Sequence, residues 1–380
     1  MTAAGQQPVA IGDHLVGDGE PVFVVAEIGS NHNGELEIAR ELVRNAAASG
    51  ADAVKFQLFR ADSLYPPNCG VVDTPMGAVD LFETFREFAL PEEWLEELSA
   101  TAKREGLVFL CTAFDEETLA AVVALDPPAL KVASPELNHL PLLRSAARLR
   151  RPLVCSTGLC TLLDIDEAVI TVREEWADAE IVLLQCVSAY PLPPEQSNLA
   201  VIETLRRAFG FPVGVSDHTV EPERTPAIAV AAGACLIEKH ITLDRSLRGP
   251  DHAFAIEPDE LGRLVSVVHR LDQLDAGERM SWVRREYGDQ TVERIFGNGR
   301  KEIQPAEMPL YPCDKRSIHA VRDIGSGETL PRDNVRILRS ERNLSPGLHP
   351  RNWEAVCGGV ATQRISIGEG ITWEHLLQYS

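Results

Sequence analysis

At 380 residues the chain exceeds an ordinary single domain and suits one barrel-sized domain with a small appendage. Its 36 basic and 57 acidic side chains leave a formal charge of −21, which argues against a nucleic-acid or anionic-membrane surface, because phosphate backbones reward the opposite sign. Eight cysteines (Cys69, Cys111, Cys155, Cys160, Cys186, Cys235, Cys313, Cys357) form no C-x-x-C pair, residues 1–19 lack a basic start and an apolar core, and no apolar run reaches membrane-spanning length. A soluble, cytoplasmic protein with reduced thiols is expected.

After an N-terminal extension (1–20), short β-branched runs alternate with longer amphipathic ones, as in βα units around a parallel sheet. The strand candidates are 22–28, 53–57, 108–112, 129–132, 153–156, 181–185, 213–216 and 236–240, and helices are expected at 36–49, 91–105, 162–175 and 258–276, among others. Eight such units over roughly 250 residues predict a closed (β/α)8 TIM barrel at 21–280. No G-x-G-x-x-G follows the first strand, which weakens a dinucleotide fold. The connection 59–90, with Pro66, Pro67, Gly70, Pro75 and Gly77, has the length of a functional lid. Beyond Gly277 the pattern breaks, and 281–315 is expected to be a polar linker. Short strand-like pieces at 317–321, 335–338 and 359–364 predict a small β-rich module at 316–380.

Catalytic side chains of such barrels sit at the C-terminal strand ends, and here those ends are polar. Two histidines stand out: His218 closes the run 213–218 and His240 closes 236–240, with an apolar segment at 226–232 long enough for a helix between them. Strand, helix, strand makes parallel neighbours, so both imidazoles meet at one sheet edge and read as two ligands of an open metal site. Manganese, iron, cobalt or zinc would suit them, acting as a Lewis acid on an oxygen. Glu238 shares a face with His240 by period-two alternation, as Lys55 does with Gln57. A lysine inside a barrel needs an anion, which Glu27 or a substrate can supply. Thr112, Lys131, Ser134 and Ser156 bring hydroxyls and positive charge to the same rim, a set that suits a phosphate. Glu136, Ser188, Tyr190 and Asp251 follow in the adjoining loops.

The stretches AEIGSNHNG (26–34), GADAVKFQ (50–57), CTAFDEE (111–117), CSTG (155–158), CVSAYPLP (186–193), GVSDHT (214–219), EKHITLD (238–244) and GPDHAFAIEPDEL (249–261), in this order, resemble the sialic acid synthase family, the N-acetylneuraminate synthases and their legionaminate and pseudaminate relatives. The tail from Lys315-Arg316-Ser317 resembles that family's antifreeze-like (SAF) domain. The resemblance implies condensation of phosphoenolpyruvate with an open-chain N-acyl amino sugar such as N-acetylmannosamine, giving a nine-carbon 2-keto acid and phosphate. It implies a divalent metal on His218 and His240, manganese first and magnesium or cobalt next. Phosphoenolpyruvate falls to Lys55, Thr112, Lys131, Ser134, Ser156 and Ser216. The sugar falls to Gln57, Glu136, Ser188, Tyr190, Asp251 and Arg316, and proton or water handling to Glu27, Asp251 or Glu238. It further implies a homodimer in which each SAF domain caps the partner's barrel and brings Arg316 to the sugar's acyl group. Ser134-Pro135-Glu136 and Ser188 depart from the family's usual Ser-Gly-Glu and Asn, which bears on the choice of sugar.

Two rivals stand beside this reading. A Schiff-base aldolase would use Lys55 or Lys239 as nucleophile and need no metal. A non-catalytic carbohydrate-binding protein would rely on the small C-terminal module, against which the intact polar rim argues.

Overall fold

The computed structural model describes residues 7–74, 77–341 and 343–376; the first six residues of the extension, Pro75 of the expected lid and the last four residues of the C-terminal module lie outside this set. Eight parallel strands close into a barrel in sequential order: β1 (Phe23–Gly29), β2 (Ala53–Leu58), β3 (Val108–Ala113), β4 (Leu130–Val132), β5 (Leu153–Ser156), β6 (Ile181–Cys186), β7 (Val213–Asp217) and β8 (Leu236–His240). Each matches its sequence-based expectation to within a residue at either end.

Side-chain alternation explains both layers of the core. Val24, Ala26, Ile28, Val54 and Phe56 face outward and join the helices in one large apolar cluster. Phe23, Val25, Ala53, Leu110, Val154, Val182, Leu184 and Leu236 face inward and fill the lower barrel. The N-terminal extension completes that inner layer: Val9–Ile11 pairs antiparallel with His14–Val16, and Val9, Ile11 and Val16 are buried against the barrel floor. Burying each is worth about 1.5–3 kcal/mol. Gly214 takes an inward position on β7 where a Cβ would meet the Leu236 carbonyl oxygen at 2.5 Å, so no larger residue fits the strand there. Two residues further up each strand, the inward series turns polar.

The surrounding helices carry apolar stripes at helical spacing, as in Leu36–Ala48, which buries Ala39, Leu42, Val43 and Ala46. Helix Leu162–Glu175 starts at a capping box made by Thr161 and Asp164. The expected helix 258–276 ends earlier, at Asp272, and the irregular linker expected at 281–315 is largely helical in its first half. Ala276–Tyr287 and Asp289–Phe296 pack on the barrel through Trp282, Val283, Val292 and Ile295. Their high charge masks a narrow apolar stripe, and the capping box between Asp275 and Glu278 was the available start signal.

The C-terminal module pairs Arg316–Ala320 with Val335–Arg339 antiparallel and packs Ile318, Leu330, Val335, Val356, Ile365 and Ile371 into its own core. The third expected strand, at 359–364, appears only as an isolated bridge between Thr329 and Val360. The long connection 59–90 folds into short helices and a hairpin, Val71–Thr74 with Gly77–Asp80. It is bound to the module: Asn68 donates to the Ile367 carbonyl at 2.9 Å and Asn343 to the Cys69 carbonyl at 2.8 Å. Among the described residues no helix is long and apolar enough to cross a membrane.

Candidate active site

Strand register carries the inward polar residues to one level of the barrel mouth. Glu27 lies opposite Lys55, Gln57 opposite Thr112, Thr112 opposite Lys131, Cys186 opposite Ser216, Ser216 opposite Glu238, and His240 opposite Glu27. A cavity of about 270 Å³ opens above them, lined by Lys55, Gln57, Thr112, Lys131, Ser134, Ser156, Tyr190, Ser216, His218, Glu238, His240 and Asp251.

The floor is a buried charge lattice. Lys55 Nζ lies 2.6 Å from Glu27 Oε2 and 3.7 Å from Glu238 Oε1, while Lys131 Nζ donates to Ser156 Oγ at 2.7 Å and stands 3.9 Å from Glu238. Ser216 donates to Glu238 Oε1 at 2.9 Å and Gln57 to Glu27 Oε1 at 2.6 Å. Burial pushes Glu27 up, against the pull of Lys55. Burial also opposes the charged form of Glu238, but Lys131, Lys55 and the Ser216 hydroxyl outweigh it and hold the carboxyl below its usual range. Lys55 is desolvated yet raised by Glu238 and Glu27, whereas desolvation wins at Lys131 and lowers it. Asp251, above the floor, is pushed up to about 6 by burial and by Glu27.

The two imidazoles meet as expected, with ring centroids 5.7 Å apart and the Tyr190 ring 4.4 Å from that of His218, tilted by 47°. His218 Nδ1 donates to the Val187 carbonyl at 2.9 Å, which leaves Nε2 with the lone pair. His240 Nδ1 is buried without a hydrogen-bond partner. Burial, then His218 and the lysines, hold His240 well below the ordinary histidine range, so it is neutral and able to ligate. Burial would depress His218 too, but Cys186, with Sγ 4.0 Å from Nδ1, and the Val187 carbonyl reverse the sign. Among the described residues no group of three or more His, Cys, Asp or Glu gathers as a metal cage. Two imidazoles with a free lone pair and an orphaned nitrogen fit a divalent ion completed by water and substrate oxygens.

Four expected site residues lie off the cavity wall: Glu27, fully buried in the floor against Lys55 and Gln57, and Arg316, Glu136 and Ser188. Arg316 is buried beneath the wall: Nε donates to Glu136 Oε1 at 3.0 Å and the terminal nitrogens to the Ser63 and Phe114 carbonyls at 2.6 and 3.1 Å. It joins the module to its own barrel, and its donors are committed there rather than to a sugar. Glu136 is consumed by the same pair and by Arg339, 2.7 Å away. Ser188 is fully buried, with Oγ unpartnered. The cavity's roof instead carries Arg339 and Glu341 from the module, Asp314 from the connecting segment, and Tyr65 and Phe85 from the long connection. Arg339 donates to the Tyr65 hydroxyl at 3.3 Å and stands 3.2 Å from Asp314. No local pattern in the sequence marks these residues; they meet only because the module folds onto the mouth. Within this single chain the module covers its own barrel.

Lys239, the rival nucleophile, alternates to the opposite face from Glu238 and His240 and is held outside the cavity by Asp217 Oδ2 and the Thr219 carbonyl, each at 2.6 Å. That removes one of the two lysines a Schiff-base aldolase would use.

Comparison with known proteins agrees with this geometry. Residues 42–279 match the NeuB family and residues 315–377 the SAF domain. The chain is 38% identical over 370 residues to the spore coat polysaccharide biosynthesis protein SpsE of Bacillus subtilis, covering 97% of this chain and 96% of that one. It is 34% identical to N,N'-diacetyllegionaminic acid synthase of Legionella pneumophila, covering 93% and 94%. The crystal structure of the Bacillus subtilis protein superposes with a TM-score of 0.83 at 36% identity, over 98% of this chain and 100% of that one. The N-acetylneuraminic acid synthetase of Leptospira borgpetersenii gives 0.65 at 29% identity, over 80% and 95%. With a closed barrel, a polar mouth and an SAF domain, and with these matches over most of its length, the chain belongs to the NeuB family of sialic acid synthases.

Proposed function

We propose that the chain joins phosphoenolpyruvate to an open-chain N-acyl amino sugar, releasing phosphate and forming a sialic-acid-type 2-keto acid. The observation that carries this reading is the placement of Lys55, Lys131, Thr112, Ser156 and Ser216 on one cavity floor beside two imidazoles. Lys131, with Ser156 and Ser216, forms the part of the floor suited to an enol phosphate, and Lys55 is the second cation for its carboxylate.

His218 and His240 would hold a divalent ion, manganese by preference, which when bound polarises an oxygen as a Lewis acid. The protein's own part is to orient and to manage charge. The methylene carbon of phosphoenolpyruvate bonds to the sugar's aldehyde carbon, water adds at the carbon bearing the phosphate, and cleavage of that carbon–oxygen bond releases phosphate. Fixed donors on the floor meet the charge that develops at the phosphate-bearing carbon and leaving group. Asp251 and Glu27, both pushed upward, are the carboxyls suited to orient the water and accept its proton. The roof of Arg339, Asp314 and Glu341 presents charged and polar groups to the far end of the sugar.

The test is phosphate release from phosphoenolpyruvate across a panel of N-acyl hexosamines. Release with at least one acceptor, abolished by EDTA and restored by manganese, is the expected result. A covalent adduct trapped by borohydride, with activity untouched by EDTA, would replace this reading with the aldolase.

A further inference from the structure

We propose that Glu307 is a positioning residue that fixes His218 for its metal through a single intervening peptide group. The inference rests on the assignment of His218 as a ligand. Glu307 comes from the short turn Pro305–Glu307 in the segment that follows the barrel, yet its side chain enters the barrel rim and is 1% exposed. Its Oε1 accepts the backbone N–H of Ser188 at 2.9 Å and of Leu159 at 2.7 Å, and its Oε2 accepts that of Gln304 at 3.0 Å. A buried carboxylate is costly, and three backbone donors make it tolerable.

The Ser188 N–H is one end of a peptide unit whose other end is the Val187 carbonyl. That carbonyl receives the His218 Nδ1 proton at 2.9 Å. The peptide is planar, with its N–H and C=O pointing opposite ways, so anchoring the N–H on Glu307 aims the carbonyl at the ring. The order is carboxylate, peptide, imidazole. Charge at the far end polarises the peptide and strengthens the bond to Nδ1–H, which selects the tautomer with a bare Nε2. Carboxylates that bind a ligating histidine directly do this for metals in general; here a peptide unit stands between them. The same oxygen holds Leu159, which sits at φ +56°, and the adjacent Gly158 N–H donates to Ser134 Oγ at 2.8 Å. A Cβ on Gly158 would lie 2.4 Å from Ser188 Oγ, so the Gly158 backbone packs against the Ser188 side chain where Glu307 joins the two loops.

Glu307→Gln in the full-length protein tests this, because it removes the charge and sets an NH2 group against the Gln304 N–H. Two measurements are made without substrate: manganese binding by equilibrium dialysis, and the tautomers of 15N-labelled histidines by NMR in the metal-free protein. Wild-type His218 is expected as the Nδ1–H tautomer, and the variant to show a mixture of tautomers and a manganese Kd raised roughly tenfold or more. A purely structural role would lower the unfolding midpoint and leave the tautomer unchanged. A Kd within threefold of wild type, or an unaltered tautomer in the variant, overturns the proposal. So does an Nε2–H tautomer in wild type, which decides the matter even when the variant does not fold. A wild-type protein that binds no manganese contradicts the metal assignment itself, a separate outcome from an unaffected variant.

Discussion

Two of the structure's clefts differ sharply in character. The larger, about 540 Å³, runs between the barrel's outer helices and the C-terminal module and has six arginines in its wall. Each is matched by a carboxylate: Arg60 by Glu117, Arg144 by Glu174, Arg148 by Glu175, Arg332 by Glu354, Arg336 by Asp62 and Arg351 by Glu167. The smaller cavity, in the barrel mouth, has fewer charges but more unfinished business: an orphaned His240 Nδ1, a His218 ring with one nitrogen spoken for, and a pair of lysines sharing Glu238. Size does not separate them. What does is the kind of group left open: in the mouth it is a ligating nitrogen beside buried lysines, whereas the arginines of the larger cleft are already paired.

The sharpest way to break this comparison is at the imidazoles. His240→Ala is expected to lower turnover by a factor of about a thousand or more while leaving the circular dichroism spectrum native, since it would delete one of the two ligands proposed for the metal. Nearly normal activity in saturating manganese would contradict the ligand assignment. The next largest effect is on stability. Arg316→Ala removes one of the two cations that pair with buried Glu136, leaving Arg339 at 2.7 Å, and should cost about 3 kcal/mol, visible as a lowered denaturant midpoint. A normal midpoint with a raised Michaelis constant for the sugar alone would return Arg316 to the role first expected of it.

A smaller effect tests the mouth's electrostatics. Asp251 is raised from 3.8 to about 6 in the folded chain, so folding favours its protonated form, and that contribution is present at low pH and lost as pH rises through about 6. In the metal-free protein Asp251→Asn should therefore stabilise by up to about 3 kcal/mol at pH 8, with the gain vanishing near pH 4. A gain that grows toward low pH would show the sign to be wrong. The smallest effect belongs to the larger cleft: Arg336→Ala breaks a half-exposed pair with Asp62, should cost under about 1 kcal/mol, and should leave turnover unchanged.

The barrel was legible because its inner face obeys one rule: Phe23, Val25 and Glu27, or Leu236, Glu238 and His240, alternate from apolar floor to polar rim within a single strand. The same rule located the floor of the site. It could not reach the roof. Arg339, Asp314, Glu341 and Tyr65 come from three separate segments, and nothing local to any of them states that they converge. Arg316 shows the converse: it was found from a motif, yet its depth under the module and its commitment to Glu136 are tertiary facts. Glu307 was hidden in a stretch whose charge and prolines read as linker, and only its three backbone contacts give it meaning. Segments with many charged residues and a two-residue apolar stripe per helix, such as Ala276–Tyr287, fall below what composition reveals.

The central claim is that His218 and His240 jointly hold one divalent ion at the barrel mouth, and a manganese titration of the metal-free protein followed by electron paramagnetic resonance tests it most directly. One ion per chain in the wild type, lost in both His218→Ala and His240→Ala, is the predicted result. Full binding retained in both variants would contradict it.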